Sequence, residues 1–173
     1  AVAFVLMGLA AAVLAFHASA LAGSGGNFII MILDEDERRA IGPRLDAILP
    51  GIPAPDIRVL ADLSPQIFCT VFAYSRGAAP VYSHAVAVIR AELGPRMRSS
   101  CLHEELAQGL GLANDSPQAR PSVFNDDEEF AHLTWLDEVL LGMLYDARLS
   151  PGMLEGDAMP LIRQLAQGRI PGA

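Results

Sequence analysis

With 173 residues, the sequence is long enough for one domain that buries a full hydrophobic core and too short for two ordinary domains. We therefore expect a single domain over residues 1–173. Apolar residues make up 52% of the chain, charged residues make up 18%, and the net charge is −8. This acidic balance, without clustered Lys and Arg, excludes the electrostatic surface of a nucleic-acid-binding protein.

The uncharged first segment, residues 1–22, leaves two interpretations open. It is long enough to cross about 30 Å of hydrocarbon, and residues 18–20 (Ala-Ser-Ala) are similar to a signal cleavage site, so it fits a residual signal or membrane anchor. Against this interpretation, no Lys or Arg precedes Arg38. The interpretation that we favour is a core helix near 2–14 followed by a strand near 16–22. Membrane contact is expected only through this segment.

Beyond residue 26, the pattern predicts strands early and helices late in the chain. Short runs rich in Val, Ile and aromatic residues are typical of strands, whereas apolar residues at helical spacing are typical of helices. The predicted strands are 27–33, 66–75 and 82–93, a loop covers 50–56, and the predicted helices are 34–49, 96–112, 133–149 and 159–167. This order predicts an α+β fold in which a small mixed sheet packs on helices.

The two cysteines, Cys69 and Cys101, allow one internal disulfide. In an oxidising compartment this bond would tie a predicted strand to the start of the helix at 96–112. Two thiols are too few to identify the compartment, and they cannot form an all-cysteine zinc site.

The main candidate site lies in CLHEELAQGLGLANDS, residues 101–116. Its spacing is that of the metzincin metallopeptidase motif HExxHxxGxxH, with Glu104, Gln108 and Asn114 in place of the three histidines. In zinc proteases of this kind the histidines hold the metal, and the Glu after the first one acts as general base on the bound water. The spacing therefore indicates Glu104, Gln108 and Asn114 as candidate metal ligands and Glu105 as a candidate catalytic base.

Residues further along the chain extend this resemblance. Gly111 stands where a metzincin glycine ends the helix, and glycine tolerates the positive φ that such an end needs. Ser122-Val123-Phe124 resembles the Met-containing turn of matrixins, with Phe124 replacing Met, and LTWLDEVLLGMLY resembles their later helix LTxxDxxxIxxLY. The resemblance implies a zincin/metzincin-like fold with a motif helix and a C-terminal helical part.

Three residues beside the motif are secondary candidates. Asp115 follows Asn114 and is placed to hydrogen-bond the ligands from behind. Phe124 is expected at the wall of the cleft. His103 flanks the motif and is predicted to point toward the core or toward Cys101.

A closer resemblance comes from SCLHEELAQGLGLANDSPQARPSVFNDDEEFAHLT followed by LLGMLYDARLSPGM. These stretches are very similar to a bacterial family catalogued as domain of unknown function 2927, and the similarity covers about residues 27–165. The resemblance implies a secreted, periplasmic or cell-envelope protein with a metzincin-like fold and no assigned activity. It also implies that EExxQ is the family's own pattern where proteases have HExxH.

The candidate ligands are unusual for a metallopeptidase. Zinc favours His nitrogen and Cys sulfur, so a carboxylate and two carboxamides do not favour zinc. Oxygen ligands suit hard divalent ions such as Ca²⁺ or Mg²⁺ better, although those ions take more ligands or several waters. The cofactor is left open, because a solvated helix face with an Asn-Asp cap would have the same sequence.

Two functions follow from these observations. The one that we favour is a pseudoenzyme, meaning a non-catalytic or weakly active envelope protein that binds a peptide or a cell-envelope component in the former substrate cleft. The alternative is a metal-dependent peptidase or other hydrolase. In that case Glu105 would activate water on a metal held by Glu104, Gln108 and Asn114.

Overall fold

A computed structural model of the protein describes residues 27–48, 52–75, 77–78, 81–125 and 129–170. Residues 1–22, for which the sequence left two interpretations open, lie outside these ranges. The described strands are β1 (Phe28–Leu33), β2 (Cys69–Ser75) and β3 (Tyr82–Arg90). The described α-helices are α1 (Glu35–Arg39), α2 (Gly42–Ile48), α3 (Ala54–Ala61), α4 (Pro95–Gly109), α5 (Trp135–Leu144) and α6 (Glu155–Arg169), and a 3-10 helix covers Val123–Asn125. The predicted α+β class is confirmed.

The three strands form one mixed sheet in the order β1-β3-β2. β1 runs parallel to β3, with Phe28 opposite Ala85, whereas β2 runs antiparallel to β3, with Cys69 opposite Ile89. A parallel pair cannot be joined by a tight turn, and the segment from α1 to β2 supplies the longer connection that it needs. β3 is the central strand, and β2 lies at one edge among the described residues.

Apolar side chains cover both faces of the sheet. Strands buried on two faces are typically continuous apolar runs, and the sequence FIIMIL of β1 is one of these. On the first face the strands pack against α1–α3 through Ile29, Met31, Leu33, Val86, Val88, Ile41, Leu45, Ile52 and Leu60. On the second face they pack against α4 through Ile30, Ile32, Ala87, Ile89 and Cys101. The sheet is thus the middle of three layers.

Two predictions near Pro43 were wrong. The single helix predicted at 34–49 is two helices, α1 and α2, because proline has no backbone N–H and so cannot donate to the carbonyl four residues earlier. Asp34 caps α1 by accepting a hydrogen bond from the Glu37 N–H at 2.8 Å. The loop predicted at 50–56 overlaps α3, which begins at Ala54 with a proline in its first turn, where proline is tolerated.

The two C-terminal helices have different bounds from those predicted. α5 covers Trp135–Leu144 rather than 133–149, because Thr134 is its N-cap. α6 covers Glu155–Arg169 and so begins four residues before the predicted start at Met159. Among the described residues, no helix is both long enough and apolar enough to cross a membrane.

A disulfide joins the sheet to α4. Cys69 at the start of β2 bonds to Cys101 in the second turn of α4, with the two Cα atoms 5.8 Å apart. Cys101 is buried, and both cysteines pack in the core between the sheet and α4. The disulfide that the two cysteines allowed is therefore present.

Removing the disulfide should destabilise the fold. The cross-link joins residues separated by 32 positions, and a loop of this size corresponds to about 3–4 kcal/mol through the reduced entropy of the unfolded chain. We expect the double variant Cys69→Ala, Cys101→Ala to lose this much free energy of unfolding in a urea titration. The reduced wild-type chain serves as control and should match the variant. An unchanged denaturation midpoint would contradict the prediction.

Candidate functional site

The helix that carries the motif, α4, lies between the sheet and a turn. On one side, Cys101, Leu102 and Leu106 pack on the sheet. On the other side, Ala107 packs against Val123 and Phe124 of the 3-10 helix. Side chains from α4 are therefore covered on two sides, which leaves a limited part of the helix in contact with solvent.

The turn beneath α4 is held by one buried carboxylate, that of Asp137. The Ser122 hydroxyl donates to its Oδ1, and the N–H groups of Val123 and Thr134 donate to its Oδ2 at 3.1 and 2.8 Å. The Thr134 hydroxyl lies 2.7 Å from the Pro121 carbonyl oxygen, to which it donates. Asp137 and Ser122 have no exposed surface. These hydrogen bonds join the turn at Ser122 to Thr134 and Asp137 of the LTxxD stretch. The two stretches therefore form one structural unit beneath α4.

Phe124 occupies the position beneath α4 that the turn creates. Its side chain is 4% exposed and packs with Ala107 and Val123, flanked by Leu112, Phe130, Leu133 and Leu141. The structure therefore places Phe124 in the core beneath the motif helix.

Glu105 is the most unusual side chain of the motif. It lies four residues from both Cys101 and Gly109, so the three side chains share one helix face. Cys101 is bonded to β2, and a Cβ added at Gly109 would lie 2.5 Å from the ring of Phe28, so this face is turned toward the sheet. Glu105 is only 5% exposed, and its Oε2 atom has no hydrogen-bond partner among the residues that the structure describes.

Burial, followed by the negative charges of Glu104 and Asp115, raises the pKa of Glu105 to about 8. An ordinary glutamate is ionised at neutral pH, whereas Glu105 is mostly protonated there. In this form it donates a proton or a hydrogen bond, and it does not accept a proton. The assignment of Glu105 as the catalytic base stays a prediction.

The three candidate ligands differ in exposure. Glu104 and Gln108 are half-buried, whereas Asn114 is exposed. The Gln108 side-chain amide donates to Asp115 Oδ1 at 3.0 Å, so the structure connects the motif helix to the loop after it. The assignment of these three residues as ligands stays a prediction.

The residues present do not fit a catalytic zinc ion. The candidate donors are one carboxylate and two carboxamides, and zinc in proteins is bound by His, Cys and carboxylate groups. Within the described ranges, no three His, Cys, Asp or Glu side chains lie close enough together to hold a metal ion. We therefore assign no chemical step to a zinc ion.

His103 hydrogen-bonds to the segment at 132–133, and among the described residues no bond joins it to Cys101, one of the two directions predicted for it. Its Nδ1 accepts from the Leu133 N–H at 3.3 Å, and its Nε2 lies 3.1 Å from Nδ1 of His132. The two rings meet edge to face. Since Nδ1 is an acceptor, the proton of neutral His103 is on Nε2 and is donated to His132. Burial and the neighbouring His132 lower the pKa of His103.

A protein-family profile described as "Protein of unknown function (DUF2927)" matches residues 6–164 of the chain. The chain belongs to the DUF2927 family. No curated protein and no solved structure gives a significant match. Family membership therefore assigns no activity to this DUF2927 protein.

Two parts of the DUF2927 site were not predicted. The Ser122–Asp137 hydrogen bond was missed because the residues are 15 positions apart, although both belong to stretches that the sequence had indicated. His132 was missed because a single histidine in a loop carries no spacing signal. Only the fold brings it to His103.

Changing Glu105 should alter how stability depends on pH. Between about pH 4.5 and 8 the folded carboxyl keeps a proton that the unfolded chain has lost, so folding stability falls as the pH rises through this range. One such proton gives a slope of about 1.4 kcal/mol per pH unit. We expect Glu105→Gln to remove this slope in urea titrations between pH 5 and pH 8.

The control for this experiment is Glu138→Gln, which neutralises an exposed carboxylate on α5. The free energy of unfolding of Glu138→Gln should change with pH by the same amount as that of the wild type. If Glu105→Gln also runs parallel to wild type, Glu105 has an ordinary pKa in the folded protein, and the argument from burial fails.

Replacing Asp137 should weaken the turn beneath α4. Asparagine has the same size, but one acceptor oxygen becomes an NH₂ group that faces donors from Ser122 or from Val123 and Thr134. We expect Asp137→Asn to lose about 2–3 kcal/mol of unfolding free energy, because buried donors are left without acceptors. Asp157→Asn, at an exposed position on α6, is the matched control, and an equal loss in both variants would refute this account.

Proposed function

We propose that this DUF2927 protein is a non-catalytic or weakly active binding protein with a zincin-like fold. In this proposal it acts in the bacterial cell envelope and binds an extended peptide segment along the edge strand β2, beside α4. The observation that carries the proposal is the position of β2 at the edge of the sheet, next to the helix with the EExxQ motif.

The arrangement around α4 supports a zincin-like architecture. The motif helix packs on a mixed sheet, and a turn from later in the chain packs beneath the helix with Phe124 at its centre. The order of motif helix, turn and later helix is the order that the resemblance to metzincins implies. The site would thus be a groove bounded by β2 and α4.

An edge strand binds peptides through its unpaired backbone groups. In an antiparallel pair, alternate residues point their N–H and C=O groups toward the neighbouring strand. Arg90 N–H donates to Phe68 O, so Phe68 is paired with β3, and the alternation then directs the backbone groups of Cys69, Val71 and Ala73 outward. No strand in the described part of the chain pairs with these outward groups, so they can bind a partner strand on the side of β2 away from β3.

The chemistry of the motif supports binding rather than hydrolysis. A general base must be ionised when it accepts a proton, and the pKa of about 8 keeps Glu105 mostly protonated at neutral pH. The candidate ligands are also poor zinc ligands. These two points make a metal-dependent hydrolase the less well supported alternative.

The disulfide supports the proposed compartment. Structural disulfides form and persist in secreted and periplasmic proteins and are rare in the reducing cytosol. The bond between Cys69 and Cys101 is buried at the core of the fold. An oxidising compartment such as the periplasm agrees with the envelope location that the family resemblance implies.

A backbone substitution in β2 tests the binding proposal. Short peptides selected from a displayed random library on the intact chain would be the probe, with affinity measured by calorimetry. Ala73→Pro removes an outward N–H and should weaken peptide binding about tenfold or more, the equivalent of one lost hydrogen bond. Ala73→Val keeps the N–H and should bind as wild type does.

Three results would count against the proposal. The first is failure to select any peptide, and the second is equal affinity of Ala73→Pro and Ala73→Val. The third is cleavage of the selected peptide by the wild-type chain, detected by mass spectrometry and lost in Glu105→Gln, which would favour the hydrolase alternative.

A further inference from the structure

Three carboxyl groups lie together along the second half of α4 and the loop after it. Glu104 and Gln108 are four positions apart and share one stripe of the helix. The Gln108 side-chain amide donates to Asp115 Oδ1 at 3.0 Å, which holds the Asp115 carboxylate beside this stripe. After burial, the negative charges of Glu104 and Asp115 raise the pKa of Glu105, so both lie within electrostatic reach of it. We call Glu104, Glu105 and Asp115 the carboxyl cluster.

The stripe with Glu104 is on the side of α4 toward the outer edge of β2. At about 100° per residue, the positions Gly109, Cys101 and Glu104 follow one another around the helix in one direction, by roughly 80° and then 60°. Gly109 lies against Phe28 of β1, whereas Cys101 is bonded to Cys69 of β2, at the other edge of the described sheet. The next step in the same direction leads past β2 to Glu104. The carboxyl cluster therefore adjoins the proposed peptide groove.

One buried oxygen of the cluster indicates a ligand that brings hydrogen-bond donors. Glu105 is 5% exposed, and its Oε2 atom makes no hydrogen bond within the part of the chain that the structure describes. A buried polar atom without a partner destabilises the structure, and a donor from a bound molecule would relieve this. Because carboxylates surround this oxygen, a positively charged donor is favoured over a neutral one. Guanidinium has five N–H donors and ammonium has three, so either group can bond to more than one of the oxygens.

We propose that the carboxyl cluster receives an Arg or Lys side chain from a peptide bound along β2. This inference rests on the proposed peptide binding and adds the class of ligand, which is a basic peptide. Glu104 and Asp115 would contact the charged group at the surface, and Glu105 would lie behind them. The net charge of −8 adds a long-range attraction for such a peptide.

The alternation of β2 specifies where in the peptide the basic residue lies. Residues directly opposite each other in paired strands place their side chains on the same face of the sheet. Cys69 and Val71 pack on the face that α4 covers, whereas Phe72 and Tyr74 pack on the other face. The basic residue therefore pairs with an odd-numbered residue of β2, such as Val71 or Ala73. Its two neighbours in the peptide face away from α4.

A change of one peptide residue tests the inference on the intact chain. Peptides selected from a displayed random library should carry Arg or Lys at a fixed position. Citrulline in place of that Arg keeps the shape of the side chain and removes its charge. We expect calorimetry to show about tenfold weaker binding of the citrulline peptide, because charge-assisted hydrogen bonds are lost.

Variants of the cluster identify the groups that the basic side chain meets. Glu104→Gln and Asp115→Asn should each weaken binding of the Arg peptide about threefold, and the citrulline peptide should bind these variants as it binds the wild type. Glu138→Gln is the matched control, since it removes one negative charge at an exposed position on α5 and should not change binding of either peptide. Near-UV circular dichroism of Trp135 checks that each chain is folded.

The outcomes separate this inference from the proposed function. Failure to select any peptide would overturn both. Selected peptides without a basic residue, or equal binding of the Arg and citrulline peptides, would overturn the basic-peptide inference alone, provided that Ala73→Pro still weakens binding. An equal loss of affinity in Glu104→Gln and Glu138→Gln would assign the effect to net charge and would also overturn it.

Discussion

The buried carboxylate of Asp137 is the constraint on which the candidate site depends. A carboxylate without exposure is costly unless its oxygens accept hydrogen bonds, and here both do so from the turn and from the start of α5. The same bonds fix the turn at Val123–Asn125, and the turn positions Phe124 against Ala107 of α4. The packing on one side of α4 therefore depends on Asp137, which lies 29 or more positions away from the EExxQ motif in the sequence.

The other side of α4 packs on the sheet, and this packing determines how far Glu105 is buried. The disulfide at Cys101 and the close approach of Gly109 to Phe28 leave little room between helix and strands. Glu105 lies between these two contacts and is removed from water, and within the described ranges its Oε2 atom accepts and donates no hydrogen bond. A carboxyl in such a place keeps its proton to about pH 8, so the packing between α4 and the sheet disfavours the ionised form that a general base needs. This is why we connect the fold with binding rather than turnover.

The sequence predicted the elements whose signal is local. The apolar run of β1, the strand pattern of β3 and the positive φ of Gly111, which is 124°, were all accessible from residue type and spacing. Pro43 interrupts the helical pattern, and the prediction of one helix across it was wrong. The burial of Glu105 was not predicted, because periodicity places a side chain on a helix face without saying what covers that face. The Asp137 bonds and the His103–His132 pair join distant residues, and only the tertiary structure brings them together.

The two ends of α4 are fixed by different means, and this locates the adaptable part of the site. The N-terminal half is tied to β2 by a covalent bond at Cys101. The C-terminal end is held by the Gly109 contact with Phe28 and by the Tyr145 hydroxyl, which donates to Leu110 O at 2.8 Å. Beyond Gly111 the chain is exposed at 113–115, and the Gln108–Asp115 hydrogen bond is one side-chain link from this loop back to the helix. A ligand in the proposed groove would therefore meet a helix and a strand that are held in place, and the loop with Asn114 is the element that can adjust to it.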